Sequence, residues 1–157
     1  MTVKEELLAA FDDAWSHRWE SFEANLKNLT DDEAAYQSPT YSNESRDLRE
    51  PPNGTILWHL IHVGQCYLHY SGMISERPVR PPEPEPPQVN TVSEAIESLK
   101  QIRSEFRSIV AMLGEEQLSE KVANGDTVQE FIRTCIRHEV WHIAQMAMAR
   151  RLYRMSK

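Results

Sequence analysis

Glycine is scarce in this chain, five in 157 residues, and no stretch alternates apolar and polar residues as a half-buried strand would. A β architecture is therefore excluded. Cysteine is scarcer still: Cys66 and Cys135 are too few for a secreted disulfide scaffold, and a reducing cytoplasm is the expected compartment. No apolar run approaches the roughly 20 residues that cross a bilayer. The start, MTVKEELLAAFDDAW, is acidic and amphipathic and reads as no signal peptide. Positive charge is also short. A formal net charge of −7 argues against nucleic acid, whose phosphates must be neutralised by Lys and Arg. The basic tail of Arg150, Arg151, Arg154 and Lys157 is read instead as cations complementing a helix C-terminus. What is present, 40% apolar and 26% charged residues, is the composition of an ordinary globular chain. Its length suits one domain over residues 1–157 with a single core.

Four stretches carry apolar residues at helical spacing. The first runs from about Val3 to Leu29, with Leu8, Phe11, Trp15, Phe22, Leu26 and Leu29 separated by threes, fours and one double step. The second runs from about Gly54 to Ile74, with Ile56, Leu60, Val63, Tyr67 and Ile74 on one face. The third carries Ile96, Leu99, Ile102, Phe106, Ile109 and Leu113, with Gly114 at the position of a helix stop. The fourth starts near Asp126 or Thr127 and reaches about Tyr153. Thr2 with Glu5, Thr30 with Glu33 and Thr91 with Glu94 each have capping-box spacing. Four such helices in one small domain predict an all-α four-helix bundle.

The connections bear on topology. Residues 77–90, RPVRPPEPEPPQVN, hold six prolines and favour extended polyproline II structure, which spans roughly 40 Å at about 3.1 Å per residue. The second helix is only about 30 Å long at 1.5 Å per residue. A rod of that reach returns the chain along the bundle, so helices two and three are expected to run parallel, in up-down-down-up order. A recognition segment or linker is the compositional alternative. The connection from Thr30 to Asn53 is also long, with a short helix expected at Asp31–Tyr36, and loops of this length often lie over a site.

The chemistry concentrates in His138-Glu139-Val140-Trp141-His142. Histidines four apart share a helix face, so both imidazoles can reach one metal ion. The string matches the zincin protease signature, in which Glu139 would be the general base. That reading fails because the residues after His142, IAQMAMARRLYRMSK, contain no His, Asp, Glu or Cys to complete the site. A third protein ligand must come from upstream, and Trp58-His59-Leu60-Ile61-His62 in the second helix is the evident source. The fourth helix has the inward seam Val128, Phe131, Cys135, His138, His142, Gln145, Ala149 and Leu152. The second has a matching stripe of Thr55, His59, His62, Cys66, His69 and Met73. Imidazoles buried on such seams need partners, and three of them on a divalent cation leave a coordination position open, as in catalytic sites. Zinc and nickel both suit imidazole.

The neighbours divide as follows. His59 is either an alternative to His62 as a ligand or a hydrogen-bond partner behind one, and the second is the preferred reading. Gln145 and Cys66 are further candidates for that supporting position, although a free Cys often packs as a small hydrophobe. Cys135 is read as packing, His69 as a polar surface or interface residue, His17 as surface and Trp58 as a packing or loop-facing aromatic. Glu139 is either a general base or a solvated helix residue. It also forms Glu-x-x-His with His142, but a di-iron bundle needs a second such motif, and the chain has none.

The helix-two string WHLIH, especially Trp58 and His62, together with His138, His142 and Gln145 on helix four, resembles the DinB-like (YfiT-like) superfamily of metal-dependent proteins. The resemblance covers nearly the whole chain. It implies an up-down-down-up bundle in which His62, His138 and His142 bind zinc or nickel, usually in a homodimer. Some relatives use low-molecular-weight thiols, in S-transfer to electrophiles or in isomerisation, and others are described as hydrolase-like. Glu139 inherits no role from the family. The expected function is thus a metal-dependent enzyme acting on a small molecule by activating a thiol or water. The alternative is a non-catalytic metal-binding or helical interaction protein.

Overall fold

Threonine or serine opens every α-helix among the described residues, which are 1–19, 21–37 and 51–157 of this computed structural model. The elements are α1 (Val3–Ser16), α2 (Phe22–Leu26), α3 (Asp31–Ala35), α4 (Ile56–Ser75), α5 (Val92–Met112), a 3-10 turn (Glu116–Ser119) and α6 (Val128–Met155). The side chains of Thr2, Ser21, Thr30, Thr55, Thr91 and Thr127 each accept a first-turn N–H that has no partner inside the helix. Reciprocal capping boxes close at Thr2/Glu5, Thr30/Glu33 and Thr127/Glu130. The box expected at Thr91 closes differently: the Glu94 carboxylate accepts from the N–H of Asn90 at 2.7 Å.

The chain is an all-α bundle whose long members are α1, α4, α5 and α6. Its first stretch is not one helix. α1 ends at Ser16, His17 turns extended, and Ser21 starts α2 afresh. The break falls at the double step in the apolar ladder, and Trp15 stacks on Phe22 across it, with ring centroids 5.4 Å apart. Packing thus keeps the apolar face continuous where the backbone does not. α5 also stops without a left-handed glycine: Leu113 is the extended cap, and the N–H of Gly114 donates to Gln117 Oε1 at 2.7 Å.

Pairwise contacts give the directions. Lys4 Nζ reaches the carbonyls of Ala111 and Leu113, while Arg107 pairs with Asp12, so α1 and α5 run antiparallel. His59 meets His142 and Tyr70 meets His138, so α4 and α6 run antiparallel. α4 and α5 run parallel. An ideal Cβ on Gly64 would lie 3.4 Å from Ile102, and Tyr67, further along α4, packs on Phe106, with ring centroids 5.0 Å apart. The proline-rich segment makes this parallel step possible. It passes Gly72 at Pro81 and Gly64 at Pro87, and Pro84 accepts a hydrogen bond from Gln65 Nε2 at 2.9 Å. It therefore runs back along α4. At Gly72 a Cβ would come within 2.9 Å of Pro81, so the close approach requires glycine.

The centre of the core is aromatic. Phe11, Tyr67 and Phe106 are each 1% exposed, with centroids 5.0 to 5.7 Å apart. Near one end of α6, Glu33 is held between Arg150 and Arg154, and Arg150 also donates to the carbonyls of Asn25 and Lys27. This cluster ties the α2–α3 region to α6. Residues 38–50 of the long connection lie outside the described residues, and with them the expectation that it covers the site.

Candidate metal centre

The antiparallel register of α4 and α6 decides which polar side chains meet. Apolar Ile56, Leu60, Val63 and Tyr67 turn one face of α4 into the core, and the histidine stripe beside that face lies against α6. One nitrogen from each of His62, His138 and His142 falls within 4.8 Å of the others, forming a group able to hold a metal ion. His142 is 1% exposed, while His62 and His138 are half-buried, so solvent reaches one side of the group.

Each imidazole is held from behind. His142 Nδ1 lies 2.8 Å from His59 Nδ1. His138 Nδ1 lies 2.8 Å from the Tyr70 hydroxyl. The His62 ring stacks on Trp58, with centroids 4.7 Å apart and planes at 7°, and the Trp141 ring stacks on His138 at 6.0 Å. His142 Nε2 and His138 Nε2 face each other at 3.0 Å. Two nitrogens sharing a tetrahedral zinc with bonds near 2.0–2.1 Å sit about 3.3 Å apart, so the spacing suits ligands of a common ion. The donor set fits as well. Burial pushes the His142 imidazole down to about 3, with His138, His59 and His62 adding to the effect, and pushes His59 down to about 4. Burial likewise lowers His62 and His138. Neutral imidazoles with available lone pairs are what a divalent cation needs.

The remaining sequence candidates separate. His59 stands behind His142, outside the group of three. Cys66 Sγ is 3.5 Å from His62 Nε2 but also lies outside that group. Burial pushes its thiol up to about 11. Gln145 lines a groove of about 220 Å³ with Gly54, Trp141, Ala144, Met148, Ala149 and Leu152. His17 is exposed and Cys135 is buried packing, while half-buried His69 sits edge-on to Tyr70. Trp19 and Trp141 are 71% and 57% exposed.

Glu139 corrects one of its two expected readings. It is 1% exposed, not solvated. Its carboxylate accepts from the Tyr67 hydroxyl and from Arg103 Nε at 3.1 Å, and Arg103 Nη2 lies 2.9 Å from its other oxygen. That Nη2 directs its hydrogen bond to the carbonyl of Phe11, so the second oxygen has charge contact without a directed bond. Burial pushes the Glu139 carboxyl up, and Arg103 and Tyr67 pull against it. Sequence reasoning missed Arg103, Tyr67 and Tyr70. The available signals were an Arg set among Leu99, Ile102 and Phe106, and two tyrosines three apart beside the histidine stripe.

A family model described as the DinB superfamily matches residues 14–146. The chain belongs to the DinB superfamily. The match spans the three clustered histidines and the aromatic residues around them. Neither the curated proteins nor the solved structures contain a significant match to this DinB-superfamily chain.

Proposed function

We propose that this member of the DinB superfamily is a metal-dependent enzyme in which His62, His138 and His142 hold a zinc or nickel ion and a small thiol is activated for transfer to an electrophile. The observation that carries this reading is the convergence of three neutral imidazole nitrogens within 4.8 Å on a partly open face. A divalent ion held there supplies Lewis acidity, which favours the thiolate, the nucleophilic form of a thiol. The chain's own groups position and shield. Tyr70 and His59 fix the His138 and His142 rings, and Trp58 and Trp141 place flat apolar surfaces beside the ligands.

The hydrolase version activates water instead and calls on Glu139 as general base. Two observations favour the thiol version: the Glu139 carboxylate is engaged by Arg103 and Tyr67, and the family resemblance includes thiol transferases. The protein acts on a small molecule, in the cytoplasm, as a homodimer that covers exposed Trp141, Val140 and Met148. No helix among the described residues is long and apolar enough to cross a membrane.

Metal analysis of protein purified without an affinity tag tests the site, and one divalent ion per chain is expected. A screen of wild type and Glu139→Gln with electrophiles and esters, with and without small thiols, tests the chemistry. Activity that requires thiol and survives the substitution supports the proposal. Ester turnover without thiol, lost in Glu139→Gln, would replace it with the hydrolase reading. Sedimentation as a monomer at micromolar concentration would remove the dimer.

A further inference from the structure

The break between α1 and α2 leaves a recess on the bundle. α1 ends at Ser16 and α2 starts at Phe22, while Ile96 and Lys100 of α5 line the gap from the other side. The cavity is about 510 Å³, larger than the groove of about 220 Å³ beside Trp141. Small-molecule ligands occupy clefts of about 300–1,000 Å³. No histidine of the imidazole cluster lines it, so its chemistry is separate from that of the metal centre.

Its floor is apolar. Leu26 is buried there, and Trp15 and Ile96 are half-buried. The Trp15 ring is held in place by Phe22, stacked with centroids 5.4 Å apart, and by the Arg103 guanidinium 4.8 Å from the ring centre. A wall fixed in this way costs a ligand little ordering on binding. The rim is charged. Arg18, Lys27 and Lys100 line it against one carboxylate, Glu23, in a chain whose formal net charge is −7. This local excess of cations runs against the composition of the whole chain. Arg18 lies over the Trp19 ring at 4.6 Å, a contact made with the guanidinium face that leaves its N–H edge for an anion. Lys100 also reaches Glu97 at 2.8 Å, in a pair exposed on both sides. Such pairs are weak, and the ammonium can be shared with a ligand.

We propose that this recess binds a small apolar monocarboxylate. The hydrocarbon body lies on Trp15, Leu26 and Ile96, and the carboxylate meets Arg18, Lys27 and Lys100 at the rim. An uncharged apolar molecule would fill the floor and leave the cations unused. A multiply charged phosphate would set charge against the apolar floor, which is costly. Burial of the body supplies most of the affinity. The exposed cations orient the ligand and select for its charge.

Full-length protein labelled at the tryptophan indole nitrogens and isoleucine methyls is titrated by NMR with octanoate, and separately with its uncharged counterpart 1-octanol. We expect octanoate to shift the Trp15 indole and Ile96 methyl signals saturably, and octanol to bind more weakly. Reversing two exposed rim charges together, Arg18→Glu with Lys27→Glu, should weaken octanoate by about 5–30-fold and leave octanol within about twofold. Ala24→Phe puts a ring into the recess and should weaken both ligands. The exposed double reversal and the wild-type comparison decide the matter even where Ala24→Phe does not fold. The inference is overturned by unshifted Trp15 and Ile96 in folded wild type, by octanol binding as tightly as octanoate, or by undiminished octanoate binding in either folded variant. Histidine shifts without Trp15 or Ile96 shifts would place the anion at the metal centre and overturn it equally. None of these outcomes bears on the metal-site reading, which elemental analysis tests.

Discussion

His138 and Glu139 are neighbours on α6, yet they enter two different kinds of buried polar region. Glu139 meets a fixed cation, Arg103, and a hydroxyl donor, Tyr67. Its charge is balanced inside the protein, and the Arg103 guanidinium is covered in turn by the Phe11 and Trp15 rings at 4.0 and 4.8 Å. His138 meets only other neutral rings and one tyrosine. The Glu33–Arg150–Arg154 cluster resembles the first kind: burial pushes the Glu33 carboxyl up, but Arg150 and Arg154 outweigh it and hold it below its ordinary value. The closed clusters fix helices against one another. The imidazole cluster has no fixed counter-charge and opens to solvent on one side, and that makes it a group able to hold a metal ion.

Substitution should break this comparison most sharply at the ligands. His138→Ala or His142→Ala should abolish stoichiometric metal, read by elemental analysis, while circular dichroism retains most helicity. The apolar seams, not the imidazoles, carry the bundle. Retention of metal by either variant would remove it from the ligand set. In the closed cluster the effect should fall on stability instead. Arg103→Met leaves Glu139 as an uncompensated buried charge, at a cost of about 3–5 kcal/mol in denaturant unfolding. Arg103→Met combined with Glu139→Leu should recover much of that loss.

Acid should act through the imidazoles. His59 and His142 are held at about 4 and about 3 in the folded chain, below the ordinary 6.5, chiefly by burial. The unfolded chain therefore takes up their protons first as pH falls. Their contribution to stability is complete above pH 6.5 and is lost between there and the folded values. In metal-free protein, lowering the pH from 7 to 5.5 should cost about 1 kcal/mol for each of the two. A flat profile over that window would mean the rings are less buried in solution. The smallest effect belongs to the surface pair of Asp12 with Arg107, whose side chains are 46% and 45% exposed. Asp12→Ala should cost about 0.2–1 kcal/mol, less at high salt.

Much of the site was legible because helical spacing is a local property. Two histidines four apart must share a face, and the stripe through His59, His62 and Cys66 had to run beside the apolar stripe of the same helix. The proline run was legible as a return strut because its reach exceeds that of α4. Glu139 was not legible. Spacing places it about 100° around α6 from His138, but what lies there depends on α5, which brings Arg103 from 36 residues away. The break between α1 and α2 was hidden for a related reason. Stacking of Trp15 on Phe22 preserves the apolar spacing that normally marks an unbroken helix.

The sequence by itself determined an all-α chain, its capped helix starts, the long parallel step across the proline segment and the placement of histidines on two inward faces. These follow from backbone periodicity, capping and chain reach, which act over a few residues. Only the tertiary structure decided which histidines converge, that His59 stands behind His142, and that Glu139 closes on Arg103 and Tyr67. Those outcomes depend on the register between α4, α5 and α6. Phe11, Tyr67 and Phe106 pack α1, α4 and α5 together, and Tyr70 on Phe131 joins α4 to α6; these contacts lie far apart in the chain, and no local pattern records them.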